Sequence, residues 1–368
     1  MIIKKIRNWL FALALLFIST TTFAQEPVRI GIDGLTHDHV HGILGMVKKG
    51  NAPFVLVGIA ESNRDIVDRL AQSYGFDKNI VFDNIDEMVE KTKPQGVVAL
   101  NSIYGHLNTV EACAPKGIHV MVEKPLAVNM EHAKKMAGLA RQNNILLLTN
   151  YETTWYPSNH KVYETIVEKS SLGDIRKVIV CDGHEGPKEI GCSQDFLDWL
   201  TDPVMNGGGA VVDFGCYGAN LMTWLMKNER PETVSATLQQ IKPDVYPKVD
   251  DEATIVLIYP KAQAILQGSW NWPFSRKDME VYTTKGYMKA LDANTVNFRE
   301  HGKEAETEKS SSLPCGLNDP FHYFTEAIRG NIKVSSEDLS SLENNLIVVE
   351  ILDAARQSAR TGQVIKLK

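Results

Sequence analysis

Six short apolar runs recur between residues 28 and 150: VRIGI, FVLVGIA, IVF, GVVAL, HVMVE and ILLLT. The gaps between them are long enough for helices, and stretches such as NRDIVDRLAQSYG and NMEHAKKMAGLARQNN carry apolar residues at helical spacing, with Asn63 and Asn129 at their starts as caps. Strand and helix in strict alternation leave one arrangement that buries every apolar face. It is a doubly wound parallel sheet with helices on both sides, an α/β Rossmann-like domain over residues 25–149.

The rhythm changes after Asn150. Longer runs, among them IRKVIVCDG, ETVSATLQQI, EATIVLIYP, AQAILQGSW and MEVYTTKGYMKAL, alternate apolar with polar residues. That period predicts a large, mostly antiparallel open sheet with one face on helices and the other free, an α+β domain over residues 150–368. Two helical stretches ending in glycine, around PFHYFTEAIRG and SLENNLIVVEILDAARQSARTG, close the chain. A free sheet face carrying Trp270 and Trp272 would suit a second copy, so a homo-oligomer is expected.

Residues 1–24 are set apart from this folding pattern. Lys4, Lys5 and Arg7 precede the apolar run WLFALALLFIST, and Thr22 and Ala24 offer small residues for cleavage. The segment reads as a Sec-type signal peptide, which implies a periplasmic or secreted protein with no stable membrane insertion after cleavage; a retained anchor is the other reading. No paired arginine suggests a twin-arginine route. The formal net charge of -6, lowered by three more when the leader's cations leave, gives no basic patch for nucleic acid. Export would also permit disulfides, and Cys181 and Cys192 bracket a short loop where one could form.

The segment RIGIDGLTHDHVHGIL starts like a dinucleotide-binding loop. Gly31 ends the strand and Gly34 begins the turn, but Thr36 and His39 stand where two further glycines belong. Thr36 can still donate to a phosphate at the helix N-terminus, and His37 lies beside it. Glu61 ends the second strand, where a carboxylate accepts from both ribose hydroxyls and repels a 2′-phosphate. NAD is therefore the expected cofactor, with Arg64 leaving NADP open. The pattern HDHVH offers His37, His39 and His41 as zinc-type ligands, yet a role at cofactor or substrate is the preferred reading, with no metal.

Downstream, HVMVEKPLAVN places Glu123 and Lys124 directly after a buried strand, at the carboxyl edge where open α/β sheets bind ligands. NGGGAVVDFGCYGANLMTWLM follows its glycines with a helix on which Asp213 and Tyr217, four apart, share a face. A lysine there would hold a hydroxyl and lower the pKa of a neighbouring phenol. Trp155 and Tyr156 offer aromatic faces for a sugar ring, and His184 a polar contact.

Taken together, EKP after the fifth strand, the GGG…D…Y helix, SLGDI at 171–175, DDEATI at 250–255 and the final helical pair resemble the Gfo/Idh/MocA family of glucose-fructose oxidoreductase and inositol dehydrogenase. The resemblance spans about residues 28–366. It implies an NAD(P)-dependent enzyme acting on a sugar or polyol, with the nicotinamide between the domains. Lys124 would contact the reacting hydroxyl and the nicotinamide ribose, Asp213 would place the substrate, and Tyr217 would carry the proton, while Asn101 and His106 border the nicotinamide. Three functions stay open on the sequence: an exported sugar or polyol dehydrogenase, an NAD-dependent glycosidase using transient oxidation, and a sugar binder without cofactor.

Overall fold

The computed structural model describes residues 26–314 and 316–367. The expected leader and its cleavage site lie outside them. In the first half, β1 (Val28–Asp33), β2 (Phe54–Ala60), β3 (Val81–Phe82), β4 (Gly96–Ala99), β5 (His119–Glu123) and β6 (Leu147–Asn150) form one sheet. Its order is β3-β2-β1-β4-β5-β6, parallel throughout. The chain reverses direction of growth between β1 and β4, so the loops after Asp33 and Ala99 open a crevice at the carboxyl ends of the strands.

Local chemistry sets the helices between these strands. Asn63 Oδ1 accepts from the Asp65 amide at 3.1 Å, and the Asn129 side chain accepts from the His132 amide at 2.9 Å. Each satisfies a donor that the first helical turn leaves orphaned. Gly50 and Gly75 end two of the helices at φ 68° and 77°, a left-handed turn that costs glycine little.

A second sheet takes up most of the remaining chain. Its strands are β7 (Ile175–Gly183), β8 (Thr233–Gln239), β9 (Glu252–Ile258), β10 (Gln263–Ser269), β11 (Arg276–Thr283), β12 (Gly286–Ala290), β13 (Thr295–Glu300), β14 (Glu306–Lys309) and β15 (Ile365–Lys366). They run in the order β14-β13-β12-β11-β7-β10-β9-β8-β15, antiparallel except for the β7–β10 pair. Ala253, Ile255 and Leu257 point into the core, whereas Thr254, Val256 and Ile258 are half-buried on the other face. Trp270 does not join that outer face as expected. It follows the end of β10, is fully buried, and packs on Tyr246.

The inner face of this sheet is covered by the helix Gly215–Leu225, every residue of which is buried, and by the helix Leu342–Thr361. Because no side of the first helix meets water, its polar residues need internal partners. Asn220 Nδ2 donates to Leu339 O and to Asn344 Oδ1, both at 2.8 Å. Cys113, Cys181, Cys192 and Cys216 are free thiols, so the Cys181–Cys192 pairing does not form. Cys181 Sγ instead donates to Gln267 Oε1 at 3.3 Å.

Replacing Asn220 with Ala would strand Asn344 Oδ1 in the core and leave Leu339 O with only the Asn345 side-chain amide. We expect a loss of about 1–3 kcal/mol in urea unfolding, with the slope against denaturant unchanged.

Candidate active site

The site assembles at the carboxyl edge of the first sheet, where the second domain leans on it. Lys124 follows β5 directly, and its ammonium donates to the carbonyl of Asp213 at 2.9 Å and to Asp213 Oδ1. The other carboxylate oxygen, Oδ2, accepts from Trp270 Nε1 at 2.9 Å. Lys124 and Asp213 are 7% and 5% exposed, so the charges survive only because each is matched. Burial opposes the ionised form of both, but the partner outweighs it. The Lys124 pKa lies above its ordinary value and that of Asp213 below.

Asp213 ends a short helix, Ala210–Asp213, and the chain breaks at Phe214 before the helix Gly215–Leu225 carries Tyr217. The ring of Tyr217 lies 5.9 Å from Phe214, and Lys124 Nζ is 5.2 Å from the centre of the Tyr217 ring. The expectation that this ammonium lowers the phenol's pKa fails. Burial, followed by the charges of Glu152, Cys216, Asp213 and Glu123, drives the pKa well above its usual value. Lys124 has its charge matched by Asp213, and Tyr217 is a neutral phenol at working pH.

The altered glycine loop has a physical explanation in the second domain. His37 is buried, its ring 4.7 Å from Phe196 and 5.6 Å from Trp199. Trp199 Nε1 donates to the carbonyl of Thr36 at 3.4 Å, and Asp38 accepts from the amide and hydroxyl of Ser193 at 2.9 and 2.5 Å. Ser193 also caps the helix Gln194–Leu200 that carries both aromatics. The loop backbone at Thr36 and the side chains of His37 and Asp38 thus give the second domain something to grip. Gly34 alone could not be replaced: its φ is +83°, and a Cβ would lie 2.6 Å from that of Asn101. Gly31 is held by packing, since a Cβ would meet Met88 at 2.8 Å.

His39 turns out of the loop toward Glu123, with Nδ1 3.1 Å from Oε2. Burial lowers the imidazole's pKa, but the Glu123 carboxylate outweighs this and leaves it raised. Burial likewise opposes charge on Glu123, and His39, by its charge and hydrogen bond, holds it ionised. His37, His39 and Glu123 bring potential ligand atoms within 4.8 Å of one another. The His37 Nδ1 lone pair, however, already accepts the His39 amide at 3.1 Å, and burial keeps His37 neutral. These groups are matched to each other by hydrogen bond and charge.

Two buried acceptors at this edge have no donor among the described residues, Asn101 Oδ1 and His106 Nε2, and Glu123 Oε2 beside them faces the His39 ring. Each is fixed in place by its other atom. Asn101 Nδ2 donates to Asp33 Oδ2 at 3.0 Å, His106 Nδ1 faces Leu126 O at 3.1 Å and must donate to it, and Glu123 Oε1 accepts from Asn150 Nδ2 at 2.9 Å. A ribose and a carboxamide supply donors, so a nicotinamide nucleoside fits this set. Glu61 spends one lone pair per oxygen on the Leu35 and Asn63 amides, at 3.0 and 2.8 Å, and retains the others for hydroxyls. Arg64 pairs with Asp83.

The expected sugar contacts separate. Tyr156 donates to Glu152 Oε1, and Glu152 Oε2 accepts from Lys277 Nζ at 2.6 Å. Lys277 lies 5.5 Å from the Tyr217 ring, which ties Tyr156 to the cluster. His184 packs edge-on to Phe214 at 4.9 Å and is kept from protonating mainly by burial. Trp155 is turned elsewhere. Its Nε1 donates to Asn150 Oδ1 at 3.0 Å, and it lines a pocket of about 740 Å³ with Tyr163, Trp224 and Tyr323, away from Lys124.

Sequence reading passed over Glu152, Asp182 and Lys277, and set Trp270 on the free sheet face instead of beside Asp213. Strand parity signals two of them: Asp182 shares its face with Val178 and Val180, and Lys277 with Met279 and Val281, which are core positions. A charge on such a face calls for a partner or a function.

Asp33, mostly buried and beside Thr109, titrates at about 6 because of burial. Its raised pKa favours the folded state below about pH 4, and that advantage disappears as pH rises to about 6. In the difference between the wild type and Asp33→Asn, unfolding free energy should fall by about 3 kcal/mol over this window and stay level above it.

Comparison with known proteins agrees with this geometry. Residues 29–151 match the oxidoreductase family with an NAD-binding Rossmann fold, and residues 161–289 match the GFO/IDH/MocA C-terminal domain. The trans-1,2-dihydrobenzene-1,2-diol dehydrogenase of Xenopus tropicalis is 27% identical over 58% of this chain and 60% of its own length. The chain thus spans less than two thirds of that relative. The D-xylose 1-dehydrogenase [NADP(+)] of Haloarcula marismortui is 19% identical over 94% of this chain and 95% of its own. Among solved structures, an inositol dehydrogenase homolog from Azotobacter vinelandii complexed with NAD+ superimposes with a TM-score of 0.79 at 17% identity, over 93% of this chain and 98% of that one. With both of its domains matched, this chain belongs to the Gfo/Idh/MocA family of oxidoreductases.

Proposed function

We propose that the protein is an exported, NAD-dependent oxidoreductase acting on a hydroxyl carbon of a sugar or polyol. The observation that carries the reading is the Lys124–Asp213–Tyr217 cluster beside two donorless acceptors, Asn101 Oδ1 and His106 Nε2, at the carboxyl edge of the Rossmann-like sheet. NAD, when bound, supplies the acceptor or donor for hydride. Lys124 binds the substrate hydroxyl and orients its oxygen, Asp213 keeps that ammonium in place, and Tyr217 gives or takes the hydroxyl proton. Asn101, His106 and Glu123 hold the nicotinamide half of the cofactor, while Gly31, Gly34, Thr36 and His37 form its phosphate loop.

Glu61 favours NAD over NADP, since its carboxylate stands where a 2′-phosphate would enter and Arg64 is drawn off by Asp83. Export rests on the leader-like residues 1–24. The half-buried apolar residues Ile179, Val256, Ile258 and Ile265 on the outer face of the second sheet suit a second copy of the chain. The relatives' names support a carbohydrate or diol substrate: one is a D-xylose dehydrogenase and another a dihydrobenzenediol dehydrogenase.

A panel of aldoses and cyclic polyols, followed by absorbance of reduced nicotinamide at 340 nm, tests the activity. Tyr217→Phe should lower kcat by about 10²–10⁴-fold and leave NAD affinity nearly unchanged. Full turnover by Tyr217→Phe would remove the phenol from the chemistry.

A further inference from the structure

Tyr217 faces a problem that Lys124 does not solve. To accept a proton from an alcohol, the phenol must first be ionised. Its neighbours oppose this: the carboxylates of Glu152, Asp213 and Glu123, and the buried Cys216 thiol, which adds no positive charge. The ring of Tyr151 covers it edge-on at 5.4 Å, and His184, on the far side of Phe214, is neutral. Lys124 is bound to both the carboxylate and the carbonyl of Asp213, so the pair contributes little net charge.

A second ammonium remains. Lys277 Nζ lies 5.5 Å from the centre of the Tyr217 ring and 5.9 Å from that of Phe214, almost the same distances as Lys124. It reaches there because Lys277 sits opposite Asp182 in the β11–β7 pairing, on the face that carries Met279 and Val281 into the core. Its other surroundings are weak in negative charge. Asp182 is 1% exposed with Oδ1 unpartnered, and burial pushes its pKa well up, so this carboxyl is un-ionised. Glu152, the actual counter-ion, is 47% exposed on its side chain and divided between Lys277 and Tyr156. Water screens it in a way that it cannot screen Asp213.

We propose that Lys277 is a positioning residue for proton transfer at Tyr217, its ammonium stabilising the phenolate that receives the substrate's hydroxyl proton. This rests on the dehydrogenase reading given above. In the oxidation direction the substrate O–H bond breaks, its proton joins the Tyr217 oxygen, and the electron pair left on the substrate oxygen becomes the second C–O bond as hydride departs to oxidised NAD. In reduction the neutral phenol returns the proton. Glu152 opposes Lys277 and keeps the phenol protonated at rest, so the pair sets the pH at which the enzyme oxidises.

Two variants with opposite expected signs test this. Lys277→Met should move the pH limb of kcat for oxidation upward by about one to two units and lower kcat near pH 7 by about 10–100-fold, with KM changed little. Glu152→Gln should move the same limb downward, and Lys277→Arg, which keeps the charge, should restore most of the wild-type profile. Tyrosinate absorbance at 295 nm, taken as the difference from Tyr217→Phe, follows the phenol without substrate and separates this inference from the activity itself. Absence of turnover with a shifted Tyr217 titration would leave the role of Lys277 standing while removing the dehydrogenase reading. An unmoved titration in Lys277→Met, or shifts of the same sign in Lys277→Met and Glu152→Gln, would overturn the inference.

Discussion

The buried ion pair between Lys124 and Asp213 joins the two domains, and the site depends on it. One charge comes from the end of a strand in the first sheet, the other from a helix covering the second. Removing either partner alone leaves an unpaired charge out of water, a change that costs about 3–5 kcal/mol in comparable buried pairs. The remaining oxygen of Asp213 holds Trp270, so the same carboxylate anchors the end of β10. Position and chemistry therefore come from one set of contacts. The lysine proposed to address the substrate is also the group that pairs across to the second domain.

A second junction forms at the phosphate loop. Dinucleotide-binding loops are rich in glycine so that backbone can approach phosphate and helix can approach strand. Here Thr36, His37 and Asp38 are instead contacted by Trp199, Phe196 and Ser193 of the second domain. The loop has exchanged some openness for attachment to the domain that covers it.

Much of the first domain was legible in the sequence, because a parallel sheet buried on both faces needs continuous apolar runs and its helices need caps. VRIGI, GVVAL and HVMVE each became a buried strand, and Asn63 and Asn129 cap the helices they precede. Lys124 was legible for the same reason, since a polar residue ending a buried strand lies at the ligand edge. The second domain was read less completely. Trp270 follows an alternating strand and reads as an outward aromatic, but the chain turns after Ser269 and brings the indole onto Asp213. Glu152 and Lys277 are 125 positions apart, and nothing local in either segment names the other. The phenol's pKa was misjudged for a related reason: proximity of Lys124 was legible, whereas the carboxylates that surround Tyr217 come from separate parts of the chain.

The central claim is that the altered loop and the donorless acceptors hold a dinucleotide. It is tested most directly on the purified protein, by mass spectrometry of the nucleotide released on denaturation together with calorimetric titration of NAD and NADP. The account requires either NAD carried through purification or saturable one-to-one uptake of NAD, with NADP at least about tenfold weaker. No dinucleotide in the released fraction and no heat of binding for either form would contradict it. Thr36, His37 and His39 would then be parts of a domain junction alone.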